Sequence, residues 1–222
     1  MARTTARDLL ACGAIAGPLF VVVFLVLGAT RAGYDPLRHP VSSLEIGDLG
    51  WTQRLNFLLT GFLVVASSVG LRTALRPLGG SRWGPSLVAL AGVGLFAAGL
   101  FVADPFNGYP AGTPLIPVDR TVPGGLHDLV SSLFFLGLPA ACIVLGRRFR
   151  AWGQPVWARY SAGTAVAFIV FFVLTALGLQ QVGSLEAIAG LLQRITIVIG
   201  LGWTSLIAVH VMRDHRVRGR TS

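Results

Sequence analysis

Six long apolar stretches alternate with short polar connections along the chain. A helix needs roughly 20 apolar residues to cross about 30 Å of hydrocarbon, so stretches of this length predict transmembrane helices. Because these stretches occupy more than half of the 222 residues, we expect one all-α membrane domain over residues 1–222 and no separate soluble domain. The predicted spans cover approximately 9–29, 55–72, 84–103, 129–146, 160–180 and 195–212.

Positive charge is confined to alternate connections. Thirteen of the eighteen arginines lie at the two chain ends or in the second and fourth connections, whereas seven of the nine acids lie in the other connections. Arginine-rich short loops mark the cytoplasmic side of a membrane protein. The pattern therefore predicts a polytopic six-transmembrane-helix bundle with cytoplasmic N- and C-termini. The thirteen arginines are Arg3, Arg7, Arg72, Arg76, Arg82, Arg147, Arg148, Arg150, Arg159, Arg213, Arg216, Arg218 and Arg220.

The net charge of +9 could suggest a nucleic-acid partner, but its placement favours another explanation. Short basic segments next to a membrane usually meet anionic lipid headgroups. With 54% hydrophobic residues, the chain is also too apolar for a soluble domain. We expect membrane lipids as partners and no nucleic acid. The composition carries no signal for a particular oligomeric state.

The first outer connection, residues 30–54, contains a possible helix start. Ser42-Ser43-Leu44-Glu45 has the form of a capping box, in which Ser42 accepts a hydrogen bond from a backbone N–H and Glu45 returns one. Gly47 and Gly50 would end this helix after about two turns. The segment predicts a short helix lying on the outer surface of the bundle.

The second outer connection, residues 104–125, is rich in proline, which excludes a helix and favours a stiff, extended loop. Loops of more than about 15 residues without regular structure are often functional. We expect this loop to fold over the outer mouth of the bundle, and a disordered connection is the alternative. Its prolines are Pro105, Pro110, Pro114, Pro117 and Pro123.

A short frame, Gly-x-x-(Gln/His)-(Arg/Asp), opens the three even-numbered predicted spans. The copy at residues 124–128 shares only the glycine with the other two, which read Gly-x-x-Gln-Arg, and chance agreement is the alternative. Those two copies cover residues 50–54 before the second span and residues 190–194 before the sixth. Arg54 and Arg194 would then have equivalent positions on two helices that run in the same direction. If both side chains point inward, the two guanidinium groups need an anion between them. That anion is either a carboxylate of the protein or a phosphate or carboxylate of a ligand.

Polar residues near the outer ends of the spans are the candidates for a site, since ionisable groups in membrane segments usually face the bundle interior and mark function. Asn56, with Thr60 and Ser67, forms a polar stripe that also suits interhelical hydrogen bonding. A purely structural ion-pair network is the alternative for the charged residues. The ligand-binding candidates are Arg54, Arg194, Asn56, His39, Ser43 and Gln193, and the acid–base candidates are Asp104, His127, Asp128 and Glu45.

His39, Asp104 and His127 are weak candidates for a metal site. Two imidazoles and a carboxylate suit zinc. However, the chain lacks the HxxxH and HExxH spacings, and three separate segments would have to converge. We therefore expect no metal and no cofactor.

Residues 34–44, followed by Gly50-Trp51, Arg54 and Asn56-Phe57, resemble the bacterial six-span membrane family catalogued as domain of unknown function 998. Asp104-Pro105, Gly125-x-His127 and Gln193-Arg194 resemble it too. The resemblance covers essentially the whole chain. It implies a six-helix fold in the bacterial cytoplasmic (inner) membrane and brings no established activity.

Two functional hypotheses follow, with a ligand-free scaffold subunit as a third. The first is a non-catalytic or transport-related protein that binds an anionic lipid or isoprenoid phosphate through Arg54 and Arg194, beneath the proline-rich loop. The second is an intramembrane enzyme that acts on a lipidic substrate, by metal-dependent hydrolysis or acid-initiated isoprenoid cyclisation. In the enzyme, Asp104, His127 and Asp128 would serve as acids, bases or metal ligands.

Overall fold

The computed structural model describes residues 2–116 and 119–218. These residues form six α-helices: α1 (Ala2–Thr30), α2 (Gly50–Leu75), α3 (Trp83–Ala98), α4 (Val122–Ala151), α5 (Pro155–Leu179) and α6 (Ala189–Arg218). Short 3-10 helices cover Val41–Glu45, Arg76–Leu78 and Gly183–Ile188. Pro117 and Arg220 lie outside the described residues, as do the side chains of Arg3, Arg216 and Arg218.

Five of the helices, α1, α2, α4, α5 and α6, are long and apolar enough to cross a membrane. The fold class predicted from the sequence, an all-helical membrane protein, is confirmed. Helix α3 is shorter: its 16 residues extend roughly 24 Å. The predicted span 84–103 was therefore too long, because the helix ends at Ala98. Gly99 follows, and its carbonyl accepts a hydrogen bond from Arg54 Nε at 3.2 Å.

Each helix packs against its neighbours in the chain, and α6 packs against α1, so the six helices close into a ring. Glycines allow the closest approaches. At Gly61 on α2, an added Cβ would lie 2.7 Å from the backbone oxygen of Gly92 on α3. Small residues at such crossings let helix backbones pack directly against each other.

The ring has two ends, which we name by their contents. The terminal face carries the start of α1, the end of α6 and the connections at residues 76–82 and 152–154. The loop face carries the first loop (residues 31–49), the second loop (residues 99–121) and the third loop (residues 180–188).

The capping box predicted in the first loop is wrong. Val41–Glu45 is a 3-10 helix that begins after Pro40 and has no side-chain cap. The carboxyl group of Glu45 instead reaches the second loop, where its Oε2 accepts a hydrogen bond from the backbone N–H of Ala103 at 3.2 Å. Leu44 is fully buried, so the segment is packed inside the loop face and does not lie on the outer surface.

The second loop crosses the loop face, as predicted, and is fixed to both other loops. Asn107 Nδ2 donates to the carbonyl of Arg38 at 2.8 Å, and Gln181 Nε2 donates to Asn107 Oδ1 at 3.0 Å. Tyr109 is buried beside the rings of Tyr34 and His39. The loop ends at Thr121 and α4 begins at Val122. Pro123 therefore belongs to the first helical turn, where proline is tolerated.

The α2–α3 crossing gives a first prediction. Gly61→Ala should destabilise the protein by about 1–3 kcal/mol, because the added methyl group meets the backbone of α3. Gly163, on α5, has open space around it, so Gly163→Ala should be neutral or stabilise by up to about 1 kcal/mol. Thermal unfolding of both variants in detergent measures the difference. Equal melting temperatures would contradict the packing of α2 against α3.

Candidate functional site

Arg194 is held entirely by the protein. Its side chain is 7% exposed, and the Cζ atom lies 5.7 Å from the ring centre of Phe24. Nη2 donates to the hydroxyl of Tyr34. Nη1 faces three backbone carbonyls: Pro36 at 2.6 Å, His39 at 2.9 Å and Gly190 at 2.9 Å. The guanidinium group therefore ties the first loop to α6.

The protonation states of Tyr34 and His39 fit this arrangement. Burial raises the pKa of Tyr34 to about 12, so its hydroxyl keeps the proton that it donates to the carbonyl of Pro40 at 2.9 Å. Burial also lowers the pKa of His39. The neutral imidazole accepts at Nδ1 a hydrogen bond from the backbone N–H of Asp35 at 2.9 Å.

The recurring Gly-x-x-Gln-Arg frame has a structural explanation. A Cβ atom at Gly50 would collide with the backbone carbonyl of Glu45, and one at Gly190 would collide with that of His39. Both glycines thus let the first loop pass directly against a helix start. Gln193 adds a further contact between α6 and the first loop, since its Oε1 accepts a hydrogen bond from the backbone N–H of Val41 at 2.7 Å.

The two arginines of the frame serve different connections. Arg54 is half-buried and donates to the end of α3 through Gly99, whereas Arg194 binds the first loop. Neither side chain lines the cavities of the loop face described below. Among the described residues, each guanidinium group thus reaches backbone carbonyls, and the two do not both line either of these cavities.

Glu45 and His127 form a buried pair. Glu45 Oε2 lies 3.4 Å from His127 Nδ1, and burial raises the pKa of Glu45 to about 8 despite the opposing charge of Arg54. The carboxyl group is therefore mostly protonated at neutral pH. Its Oε1 has no hydrogen-bond partner among the described atoms.

The backbone around His127 determines which ring nitrogen carries the hydrogen. Nδ1 lies 2.8 Å from the carbonyl of Phe101 and 3.2 Å from that of Ala98. Carbonyl oxygens only accept hydrogen bonds, so Nδ1 carries the hydrogen. In the neutral ring, Nε2 is then an acceptor, and His127 lines a cavity.

This cavity, which we call the chamber, has a volume of about 230 Å³ and lies inside the helix ring towards the loop face. Five helices, α2 to α6, contribute to its walls, and both long loops reach it through Ser42 and Phe106. The walls are mostly apolar, with Phe57, Leu95, Phe134, Phe135, Phe172 and Ile197. The polar residues are Ser42, His127, Asp128, Ser131, Ser132, Thr175 and Gln193.

A second cavity of about 490 Å³ adjoins the chamber at the loop face, and we call it the mouth. The two share Phe106, Asp128, Ala176 and Leu179. Arg120 and Asp128 form an ion pair of 2.8 Å there. Both side chains are largely exposed, so the pair contributes little to stability.

Asp104 also lines the mouth, but its carboxylate is engaged in the start of α4. Its oxygens accept from the hydroxyl of Thr121 at 2.5 Å and from its N–H at 3.1 Å. The same hydroxyl accepts from the N–H of Gly124 at 3.1 Å and caps the helix. The three weak metal candidates do not converge, and the described part of the chain holds no group of His, Cys, Asp and Glu that could bind a metal ion.

A buried polar stripe runs along α2. Asn56 Nδ2 donates to the carbonyl of Phe20 on α1 at 3.2 Å, which is the interhelical hydrogen bond expected from the sequence. Gln53 Nε2, Asn56 Oδ1, Thr60 Oγ1 and Ser67 Oγ have no partner among the described atoms. An unpaired buried polar atom costs about 1–3 kcal/mol, so we expect internal water along this stripe. Ser43 Oγ in the first loop is unpaired as well.

Sequence reasoning missed most of the chamber lining. Of the candidates predicted from the sequence, Gln193 and His127 line the chamber, and Asp128 lines both the chamber and the mouth. The phenylalanines of the walls could not be recognised as cavity residues from the sequence, because phenylalanine is common in predicted transmembrane spans. Ser131, Ser132 and Thr175 were polar residues within spans and could have indicated the cavity.

The family model described as "Protein of unknown function (DUF998)" matches residues 14–210. The chain belongs to this family. The resemblance noted in the sequence is thus confirmed, and the DUF998 match includes every residue that lines the chamber and the mouth. Comparisons with curated proteins and with solved structures found no match.

The Arg194 contacts predict a large difference between the two arginines of the frame. Arg194→Gln should destabilise the protein by about 3 kcal/mol or more, because it leaves buried carbonyls without their charged donor. Arg54→Gln should cost about 1 kcal/mol, since that side chain is half-buried and loses one hydrogen bond. Thermal unfolding in detergent tests the order. A larger loss for Arg54→Gln would contradict the assignment.

Burial of Glu45 predicts a pH dependence of stability. Its pKa rises from 4.5 to about 8 on folding, so the folded state binds the extra proton between these values. Stability should therefore fall as pH increases from about 5 to about 8. Neutral His39 contributes the opposite slope near its unfolded pKa, so the comparison that isolates Glu45 is wild type against Glu45→Gln.

In wild type, protonated Glu45 should make the melting temperature fall as pH rises over this range. The Glu45→Gln variant should lose this contribution. Asp48→Asn, which changes an exposed acid of the same loop, serves as the control and should keep the wild-type profile. If wild type and Glu45→Gln show parallel profiles, the carboxyl group is not protonated by burial.

Proposed function

We propose that this DUF998 protein binds an amphiphilic, lipid-like molecule in the chamber, with the apolar chain inside and the polar end in the mouth. The supporting observation is that an apolar chamber adjoins a charged mouth, since the two cavities share Asp128 and three further lining residues. Small-molecule sites are typically concave and mostly apolar, with a few convergent polar groups. The chamber and mouth have this character.

The proposal includes an orientation. Among the side chains that the structure describes, the arginines of the predicted cytoplasmic set lie at the terminal face. Arginine-rich connections favour the cytoplasmic side, so the terminal face would face the cytoplasm and the chamber would open outward. With α3 as the sixth span, the protein would be a multi-pass protein of the bacterial cytoplasmic membrane.

The chamber volume bears on the ligand. About 230 Å³ is less than the roughly 300–1,000 Å³ of common ligand sites, so the chamber would hold only part of an acyl or isoprenoid chain. The mouth adds about 490 Å³ for the rest of the ligand. Facing rings of Phe135 and Phe172, stacked with centres 4.6 Å apart, offer an apolar surface for such a chain.

The polar end of the ligand would meet Arg120, which carries the only guanidinium group among the described residues that line either cavity. An anionic headgroup would take the place of Asp128 beside Arg120. His127 Nε2 and the amide of Gln193 would contact polar atoms deeper in the chamber. Arg54 and Arg194 would act indirectly, by holding the loops that form the roof.

A binding assay with farnesyl phosphate as the probe tests this function. Wild-type protein in detergent should bind it saturably. Ala176→Phe should abolish binding, because Ala176 lines both cavities and the added ring fills their junction. Val173→Phe, also on α5 but exposed on the outside, is the matched control and should bind normally.

A second arm tests the headgroup contact. Arg120→Gln should weaken farnesyl phosphate binding by roughly tenfold and leave farnesol binding unchanged. Binding by Ala176→Phe equal to that of wild type would sink the chamber proposal. Absence of saturable wild-type binding to both farnesyl phosphate and a lysophospholipid would do the same.

The enzyme remains the second candidate because of His127. His127 lines the chamber, and because its Nδ1 hydrogen is directed at two carbonyls, Nε2 would be the nitrogen that acts as a base. Release of inorganic phosphate or of a cyclised product from farnesyl phosphate in the same assay would favour this candidate. Bound probe that is recovered unchanged would favour binding alone.

A further inference from the structure

An apolar groove with a basic end lies between α4 and α5 towards the terminal face. Its volume is about 730 Å³. Small residues, Gly146, Ala158 and Ala162, line it together with the exposed aliphatic side chains of Val166 and Ile169. Because these side chains are exposed, the groove opens to the outside of the helix ring and is separate from the chamber.

Three arginines lie together at one end of this groove. Arg147 and Arg150 come from the last turns of α4, and Arg159 comes from the first turns of α5. All three side chains are exposed. Within the described ranges, no acidic residue lines the groove and no ion pair involves these arginines. Three positive charges that line one groove without a carboxylate favour a bound anion.

The length of the groove matches one leaflet of a bilayer. From Arg159 to Ile169, α5 rises by ten residues, or roughly 15 Å. This is about half of the 30 Å hydrocarbon thickness. An occupant that places an anion at the arginines and an apolar chain along this distance has the dimensions of a phospholipid.

We propose that the groove is a binding site for an anionic phospholipid of the leaflet at the terminal face. The phosphate group lies between Arg147, Arg150 and Arg159, and one acyl chain follows the small residues between α4 and α5. Basic pockets between membrane helices bind anionic headgroups in this manner. The site is independent of the chamber and of its proposed ligand.

A second basic cavity at the terminal face provides a contrast. It has a volume of about 880 Å³, and its arginines are Arg72, Arg76, Arg82 and Arg148. The lining residues that the structure describes there include no aliphatic wall of the kind that lines the groove. Removing the same number of arginines from the groove and from this cavity therefore gives a matched comparison. A defined lipid site predicts a loss of bound lipid only for the groove, whereas a diffuse attraction to the whole face predicts equal losses.

The charge experiment uses the full chain in nanodiscs that contain phosphatidylglycerol and phosphatidylcholine. After mild detergent extraction, native mass spectrometry counts the phosphatidylglycerol that stays bound. The triple variant Arg147→Gln/Arg150→Gln/Arg159→Gln should retain it roughly tenfold less than wild type. The charge-matched control Arg72→Gln/Arg76→Gln/Arg82→Gln should retain the wild-type amount. Equal losses in the two variants would overturn the proposal.

A shape experiment leaves every charge in place. Ala162 is exposed and lines the groove, whereas the adjacent Gly163 does not line it and has open space around it. Ala162→Leu should reduce retained phosphatidylglycerol several-fold, and Gly163→Leu should not. Wild-type retention by Ala162→Leu would show that no acyl chain occupies the groove and would overturn the proposal.

A competition arm separates a lipid from a soluble anion. Inorganic phosphate at millimolar concentration should not displace phosphatidylglycerol from wild-type protein, because phosphate lacks the chain that fills the groove. Displacement would show that the arginines recognise the anion alone. The site would then be a phosphate site and not the lipid site proposed.

Discussion

The loop face depends on one buried guanidinium group. A charge inside a membrane bundle is costly unless hydrogen bonds replace its water, and Arg194 obtains them from backbone carbonyls and the hydroxyl of Tyr34. The first loop gains in return, since Arg194 donates charge-assisted hydrogen bonds to its carbonyls at Pro36 and His39. Arg194 therefore holds the segment that precedes the 3-10 helix Val41–Glu45, and this helix reaches the chamber.

The chamber follows from how the loops are seated. Glu45 joins the first loop to the second loop through Ala103 and lies next to His127 on α4. Asn107 then fixes the second loop to the first and third loops. These contacts form the roof, while the aromatic side chains of α4 and α5 form much of the wall. The charged residues of the loop face thus work mainly as supports, while His127 and Gln193 line the chamber and Arg120 lines the mouth.

Several features of the site could be predicted from the sequence and others could not. The sequence predicts Arg194 as a candidate for the bundle interior, because ionisable groups in membrane segments usually face inward. Its partners could not be predicted, because the carbonyls of Pro36 and His39 are distant in sequence and carry no signature. Ser42 and Glu45 have the spacing of a capping box, but no capping box forms. The Glu45 carboxyl group accepts from the backbone N–H of Ala103 instead, and Leu44 packs into the core.

The sequence alone determined the number and order of the apolar helices, the family and the separation of charge, since hydrophobic length and charge are local properties. Tertiary structure decided where α3 ends, which carbonyls Arg54 and Arg194 bind, and that an apolar chamber lies beneath the loops. The physical reason is that partners of buried polar groups and the shape of cavities depend on atoms brought together from distant parts of the chain. No periodicity along the sequence encodes those distances.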